Sequence, residues 1–386
     1  NNNNNTPLMV HNRKFEITQL CRLFLGRAGE RAYAISAPLY IYSILWAYTT
    51  VFGKAMSHSL PVPGIGDSYL IYVGVFSCIV VPLSFLEMPE QVSVQVTLSV
   101  CRFVMVFIMV LTPALVGLSS HHSASHGHYS FGGQTTPNGT PLWDTTGIPH
   151  MLPVVVFSVI LHHTIPTLAL EVGDKSNLHN VFGVTLAICI ASYTIIGLVG
   201  SWFFGADVEQ SANLNWSDFR YECPSNDEYC AVAWGHWIAP IISFFTVIFP
   251  ALDVISAFPL NAIVLSSNLR TIFHGSILLS DTKITSTEKR FFKFASSVPP
   301  IIGAVFVRDL GTITDFSGLI GFAIGFVFPS LLYVFSERTM VGILGMRNVQ
   351  THYQRWGSNW GMATLVGTFG VGAIVYTCGP YIKALQ

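Results

Sequence analysis

Residues 181–204 read VFGVTLAICIASYTIIGLVGSWFF, and no Lys, Arg, Asp or Glu occurs anywhere from Ser176 to Ala206. A surface helix of a soluble domain would carry a polar face here. An uncharged run of this length matches instead the roughly 20 apolar residues that carry a helix across the hydrocarbon core of a bilayer. Further charge-free stretches lie outward from it, from Ala32 to Gly53, Ser68 to Leu86, Phe103 to Trp143, Thr145 to Leu170, Tyr229 to Leu252, Phe316 to Ser336 and Trp356 to Ile382. Only 10% of the 386 residues are charged, against about 25% in globular proteins. That composition excludes a string of soluble domains and predicts a multi-pass membrane protein.

Backbone inside lipid must satisfy its own hydrogen bonds, and helices do so locally. The expected fold class is therefore all-α, with nine transmembrane helices near residues 32–60, 68–86, 92–118, 151–171, 181–204, 237–265, 291–307, 316–336 and 361–380. The seventh is short and contains Pro299-Pro300, so Lys293 and Arg308 must reach outward to the interfaces. Basic residues orient the set, because cytoplasmic loops hold the excess. With residues 1–31 inside, fourteen of the 19 Lys and Arg fall on the cytoplasmic side, Lys54, Arg220, Arg308 and Lys383 on the other, and Arg102 within a span. The N-terminus is then cytoplasmic and residues 381–386 form an extracytoplasmic tail, in a plasma, lysosomal or vacuolar membrane.

The net charge of −1, with no single basic surface, excludes nucleic acid as a partner and leaves the lipid bilayer as the evident one. Asn1 to Asn5 form a polar run that is neither signal peptide nor anchor. Beginning on Asn and not Met, the sequence reads as a piece of a longer chain.

The non-cytoplasmic loops have consistent chemistry. Residues 205–236 contain Cys223 and Cys230, the only cysteines to share a polar loop on an oxidising side, so a Cys223–Cys230 disulfide is expected. The sequons at Asn215 and Asn138 predict glycosylation, with Pro141 weakening the second.

An ionisable group at membrane depth costs a few kcal/mol and asks for a function or a partner. Asp253 lies within IFPALDVISAFP (248–259), too short to reach an interface. Pro250 and Pro259 free carbonyls, and Ser256 lies on the same face, so Asp253 and Ser256 together make an oxygen-rich spot suited to Na+ or a proton. A structural pairing with Arg102, or a neutral hydrogen-bonded carboxyl, is the alternative for Asp253. The run FSVILHHTIP (157–166) ends on Pro166, which denies a donor and clashes with the His162 carbonyl, so the helix should kink or unwind beside His162, His163 and Thr164. Interrupted helices at the midplane are how many transporters expose backbone groups to solutes.

Adjacent His162 and His163 point about 100° apart on a helix, and no second ligand pair accompanies them, so no metal site is expected. His121, His122, His126 and His128 read as a low-complexity spacer. Ser317, Gly321 and Gly325 recur every four residues as a helix-packing face. No P-loop, nucleophile elbow, triad or zinc motif occurs, so no enzyme and no cofactor are expected beyond a coupling ion, H+ or Na+.

Leu39-Tyr40 with Ala47-Tyr48 and Gly53, the 157–166 run followed by Gly173-Asp174-Lys175-Ser176, Phe258-Pro259, Val298-Pro299-Pro300, Asp315 with Gly318-Leu319-Ile320-Gly321, and Phe328-Pro329-Ser330 together resemble the amino acid/auxin permease family. Phe15-Glu16-Ile17-Thr18 and His163-Thr164-Ile165-Pro166 resemble its transmembrane protein 104 branch. The resemblance implies the inverted five-plus-five, LeuT-like repeat of the amino acid/polyamine/organocation superfamily, with the nine spans standing for helices three to eleven. The glycine-rich break of the family's first helix has no counterpart before Phe15. Asp253 falls where sodium-coupled members carry a hydroxyl, which implies proton coupling or an altered cation site.

The expected activity is secondary active transport of neutral amino acids or similar small solutes. His162, His163 and Thr164 would meet the solute, Tyr40 and Tyr48 would wall its pocket, and Asp253 with Ser256 would hold the ion. The rival reading is a non-transporting membrane sensor or scaffold, or a degenerate transporter copy.

Overall fold

The computed structural model describes residues 17–64, 66–86, 92–119, 128–138, 145–162, 165, 177–223, 234–274, 285–345 and 359–384. It is predominantly helical: α1 (Ile17–Ser59), α2 (Tyr69–Leu83), α3 (Val92–Ser119), α4 (Ile148–Val159), α5 (Leu178–Phe204), α6 (Gly235–His274), α7 (Ser286–Phe306), α8 (Leu310–Phe322), α9 (Phe328–Leu344) and α10 (Trp360–Ala384). Among the described residues six helical stretches are long and apolar enough to cross a membrane, with α8 running into α9 as one of them, and α2 and α4 are apolar but shorter. Large side chains such as Phe103, Phe107, Val184, Leu198, Leu365 and Val375 stand more than half exposed around α3, α5 and α10. So broad an apolar exterior suits lipid and not water.

α1 is the central helix and packs against α2, α6, α7, α8 and α9. It begins well before residue 32, bending at Gly26, whose φ of 73° is left-handed and open to glycine at little cost. Its buried face interleaves Ile41, Leu45, Phe52 and Ala55 with Phe76 and Val80 of α2 and Ala251, Phe258 and Leu265 of α6. Pro250 and Pro259 sit inside α6 without ending it.

Aromatic donors from α1 and α2 hold α7. Pro299 has no N–H, so the Ala295 carbonyl one turn earlier lacks its helical donor. The Tyr42 hydroxyl takes that place at 2.6 Å. Tyr69 donates to the Ala304 carbonyl at 2.9 Å and the Trp46 indole to that of Val307 at 3.0 Å, closing the C-terminal end of the same helix. A proline-containing segment with a charged first turn is seated this way in the bundle.

Between α8 and α9, residues 323–327 form a π turn in which the Phe328 N–H reaches the Ala323 carbonyl five residues back. Pro329 explains it, because a regular α turn would drive its ring into the Gly325 carbonyl.

One end of the bundle carries a small cap. Strand β1 (His128–Phe131) pairs antiparallel with β2 (Phe219–Glu222), in the register His128 to Glu222 through Phe131 to Phe219. Beneath it Phe131, Phe203, Phe204, Trp216 and Phe219 pack together, and Trp216 donates to Thr112 Oγ1 at 2.9 Å. At this strand end Lys54 donates to Gln210 and Gln210 to Asp309, whose other oxygen caps α8 through the Thr312 N–H. The Thr312 hydroxyl at 2.6 Å, the Thr312 N–H and Gln210 hold the Asp309 carboxyl down at about 2. Arg308 likewise donates to Asp67 and holds that carboxyl below its usual range.

Candidate functional site

The helix of the fourth apolar run stops at Val159, short of the expected 171. Ile160 is extended (φ −76°, ψ 119°), and helical bonding resumes when the Ile165 N–H reaches the Leu161 carbonyl at 3.1 Å. The interruption therefore begins upstream of Pro166, a residue that lies outside those described, as do His163 and Thr164. The break leaves the Phe157 carbonyl beyond regular helical bonding, and the buried Tyr40 hydroxyl donates to it at 3.3 Å. Tyr40, expected on the wall of a pocket, is thus bonded to the break itself.

The π turn lies across from this break. Cβ atoms built on Gly321 and Gly325 would come within 3.0 Å of Val156 and Ile160, and that of Gly325 within 3.6 Å of His162 Nδ1. These glycines let α8 and the π turn approach the interrupted chain directly. His162 is half-buried, and its Nδ1 is buried with no hydrogen-bond partner. Two irregular backbone segments, one imidazole and one tyrosine thus converge.

Tyr48 lies two turns further along α1. It stands within electrostatic reach of Tyr40 on one side and of Asp253, Arg102 and Tyr193 on the other. Asp253 and Arg102 form a bidentate ion pair between α6 and α3: Nε to Oδ2 at 2.9 Å and Nη2 to Oδ1 at 2.7 Å. A guanidinium fork fits a carboxylate in this geometry and neutralises a charge that a mid-span helix otherwise holds at high cost. Ser256 Oγ donates at 2.8 Å to the Asp253 backbone carbonyl, one turn back on its own helix. In this conformation both carboxylate oxygens face Arg102, the pairing that the sequence offered as the alternative for Asp253.

The loop residues fall at the strand end. Among the described residues the free cysteines are Cys21, Cys78, Cys101, Cys189 and Cys378. Cys223 lies 3.2 Å from His236 Nε2, and Cys230 is outside the described residues. Both sequon amides are engaged, Asn215 donating to the Asp207 carbonyl at 2.9 Å and Asn138 to Asp207 Oδ2 at 2.8 Å. Among the described residues no group of three His, Cys, Asp or Glu is placed to hold a metal ion.

Two features of this region escaped the sequence reading. The π turn had a signal in Phe328-Pro329 following Gly325. A pair between His150 Nδ1 and Asp315 Oδ2, 3.1 Å apart, joins α4 to α8 at the strand end. Asp315 lay one residue outside the expected span and drew attention only as part of a motif.

Comparison with known proteins is consistent with this architecture. A family model described as "Transmembrane amino acid transporter protein" matches residues 10–341. Transmembrane protein 104 of Homo sapiens is 23% identical over 274 residues, covering 70% of this chain and 49% of that protein. The protein of the same name from Gallus gallus is 21% identical over 365 residues, covering 88% and 67%, and the Drosophila melanogaster homolog 22% over 380 residues, covering 88% and 70%. The chain spans about half the length of the human relative. A match across so much of the sequence, together with an apolar helical bundle interrupted opposite a π turn, shows that the chain belongs to the transmembrane amino acid transporter protein family.

Proposed function

We propose that the chain is the translocating part of a secondary active transporter of neutral amino acids or similar small solutes, working by alternating access and coupled to H+ or Na+. The observation that carries this reading is the interruption at Ile160 facing the π turn at 323–327, with Tyr40 and His162 between them. Exposed backbone groups on interrupted helices can bind the carboxylate and ammonium of an amino acid, and the glycines opposite bring the second irregular segment close to the first. His162, His163 and Thr164 meet the solute and Tyr40 and Tyr48 line its path. The nine spans and the inverted five-plus-five repeat belong to the same proposal, as do the cytoplasmic N-terminus, the glycans at Asn138 and Asn215, and the Cys223–Cys230 disulfide. Asp253 with Ser256 holds the ion at the stage of the cycle when Arg102 withdraws, because the guanidinium already neutralises the carboxylate and repels a second cation.

Proteoliposome uptake of labelled neutral amino acids under imposed pH or Na+ gradients tests the reading. Uptake should exceed that of empty vesicles and fall in Tyr40→Phe and His162→Ala. Gradient-driven uptake untouched by both substitutions would remove the broken helix from the solute path. Coupling unchanged in Asp253→Asn would remove the acid from the ion role.

A further inference from the structure

Helices α4 and α8 run in the same direction from the strand end, and their contacts keep one register. His150 meets Asp315 at a separation of 165 residues. Pro153 against Gly318, Val156 against Gly321 and Ile160 against Gly325 repeat that offset, three or four residues further down each time. At Gly318 the two backbones nearly touch, since a Cβ there would lie 2.2 Å from the Pro153 carbonyl oxygen. This ladder of small residues closes the helices against each other down to the break. At its top stands the titratable pair, about 15 Å above the break at 1.5 Å per residue.

We propose that His150 and Asp315 form a proton-binding site that fastens the strand end of α4 to α8 and so sets access to the broken helix. Asp315 is 9% exposed, and a carboxylate with so little solvent needs a partner. The His150 side chain is 62% exposed, so protons from the aqueous side reach it directly. A protonated imidazole neutralises the carboxylate and draws the helices together. A neutral one offers a single N–H or a lone pair, and the attraction weakens.

Other titratable groups lie on the packed elements, among them His58 in the last turn of α1, at the strand end, and Arg22, Arg27, Glu30 and Arg31 toward its other end. On α8, Asp309 is bonded to Thr312 and Gln210, and on α1 Lys54 donates to Gln210, while Tyr48 lies near Arg102 and Asp253. α5 contributes His179 in its first turn, at the end away from the cap, with Tyr193 and Cys189, and α10 Tyr376 and Cys378. His150 is the imidazole that meets Asp315, and an imidazole is the side chain that ordinarily changes charge between about pH 5 and 8. Acid closes the ladder and alkali loosens it.

The effect on uptake rests on the transport reading, whereas the change in helix separation does not. The test uses the full chain in lipid nanodiscs, with spin labels on unnatural amino acids replacing Met151 and Phe316, both about half exposed. The distance between labels should lengthen or broaden between about pH 5.5 and about pH 8. His150→Gln, which keeps a hydrogen-bonding group without the charge, and Asp315→Asn should each abolish the pH response, and the pH profile of uptake should flatten. A distance that ignores pH in the parent chain, or a response surviving in both variants, overturns the clamp. A pH-dependent distance in a chain that takes up no amino acid would leave the clamp standing and overturn the transport reading instead.

Discussion

Arg102 and Asp253 show what a single pair decides in this bundle. Each alone is a costly charge at membrane depth, and together they cancel in a fork of two hydrogen bonds. The Arg102 side chain is 41% exposed, on a helix whose outer face meets lipid, so screening by water is weak. Either partner alone is stranded when the other is removed. Arg102→Gln and Asp253→Asn should each lower the unfolding free energy in a detergent titration by about 3 kcal/mol. The charge exchange Arg102→Asp with Asp253→Arg should recover part of the loss, and a strictly additive double-mutant cycle would contradict the pairing. Sequence identified both residues as anomalies. It could not choose between ion site and ion pair, because they lie 151 residues apart and only packing sets their distance.

At the scale of elements, α4 and α8 are held by shape. A methyl at Gly318 would meet the Pro153 backbone, which cannot rotate away, whereas one at Gly321 would meet a Val156 methyl at 3.0 Å, a tight contact that a shift of a few tenths of an ångström relieves. Gly318→Ala should therefore cost about 2–3 kcal/mol through overpacking, and Gly321→Ala less than about 1 kcal/mol. Detergent-stability midpoints of the two variants check this, and equal costs would mean the helices are not locked in register. The sequence reading took Ser317, Gly321 and Gly325 as the packing face. Gly318, the closest approach, was visible only as a motif residue, since a four-residue period ranks positions by spacing and cannot measure the gap to a partner helix. The interruption of α4 was legible near His162, but the extended residue is Ile160, and Tyr40 donates to the Phe157 carbonyl one turn before it.

Across the whole molecule, the strand end is joined by polar contacts where apolar packing gives out. Asp309 links α8 to Gln210 and through it to Lys54 of α1. Its carboxyl is held at about 2, below its usual 3.8, so it binds a proton less readily folded than unfolded. The stability it adds is complete above about pH 4 and lost as pH falls toward 2. Asp309 lies mostly in solvent, which limits the contribution to about 1 kcal/mol. The unfolding midpoint should fall from about pH 4 downward, less steeply in Asp309→Ala, which also loses about 1 kcal/mol of helix cap at neutral pH. An acid limb identical in the variant would place the titration elsewhere.

Sequence alone determined that the chain is a helical multi-pass membrane protein, because hydropathy is a sum over one local window. It also pointed to a break near His162, although the extended residue, Ile160, lies six positions before Pro166. Tertiary structure decided which charges cancel, which carbonyls tyrosines satisfy, how two loops pair as β1 and β2, and that His150 stands over Asp315. Those contacts depend on the angle and register at which helices pack, and that geometry is set by side chains distant in sequence fitting one another.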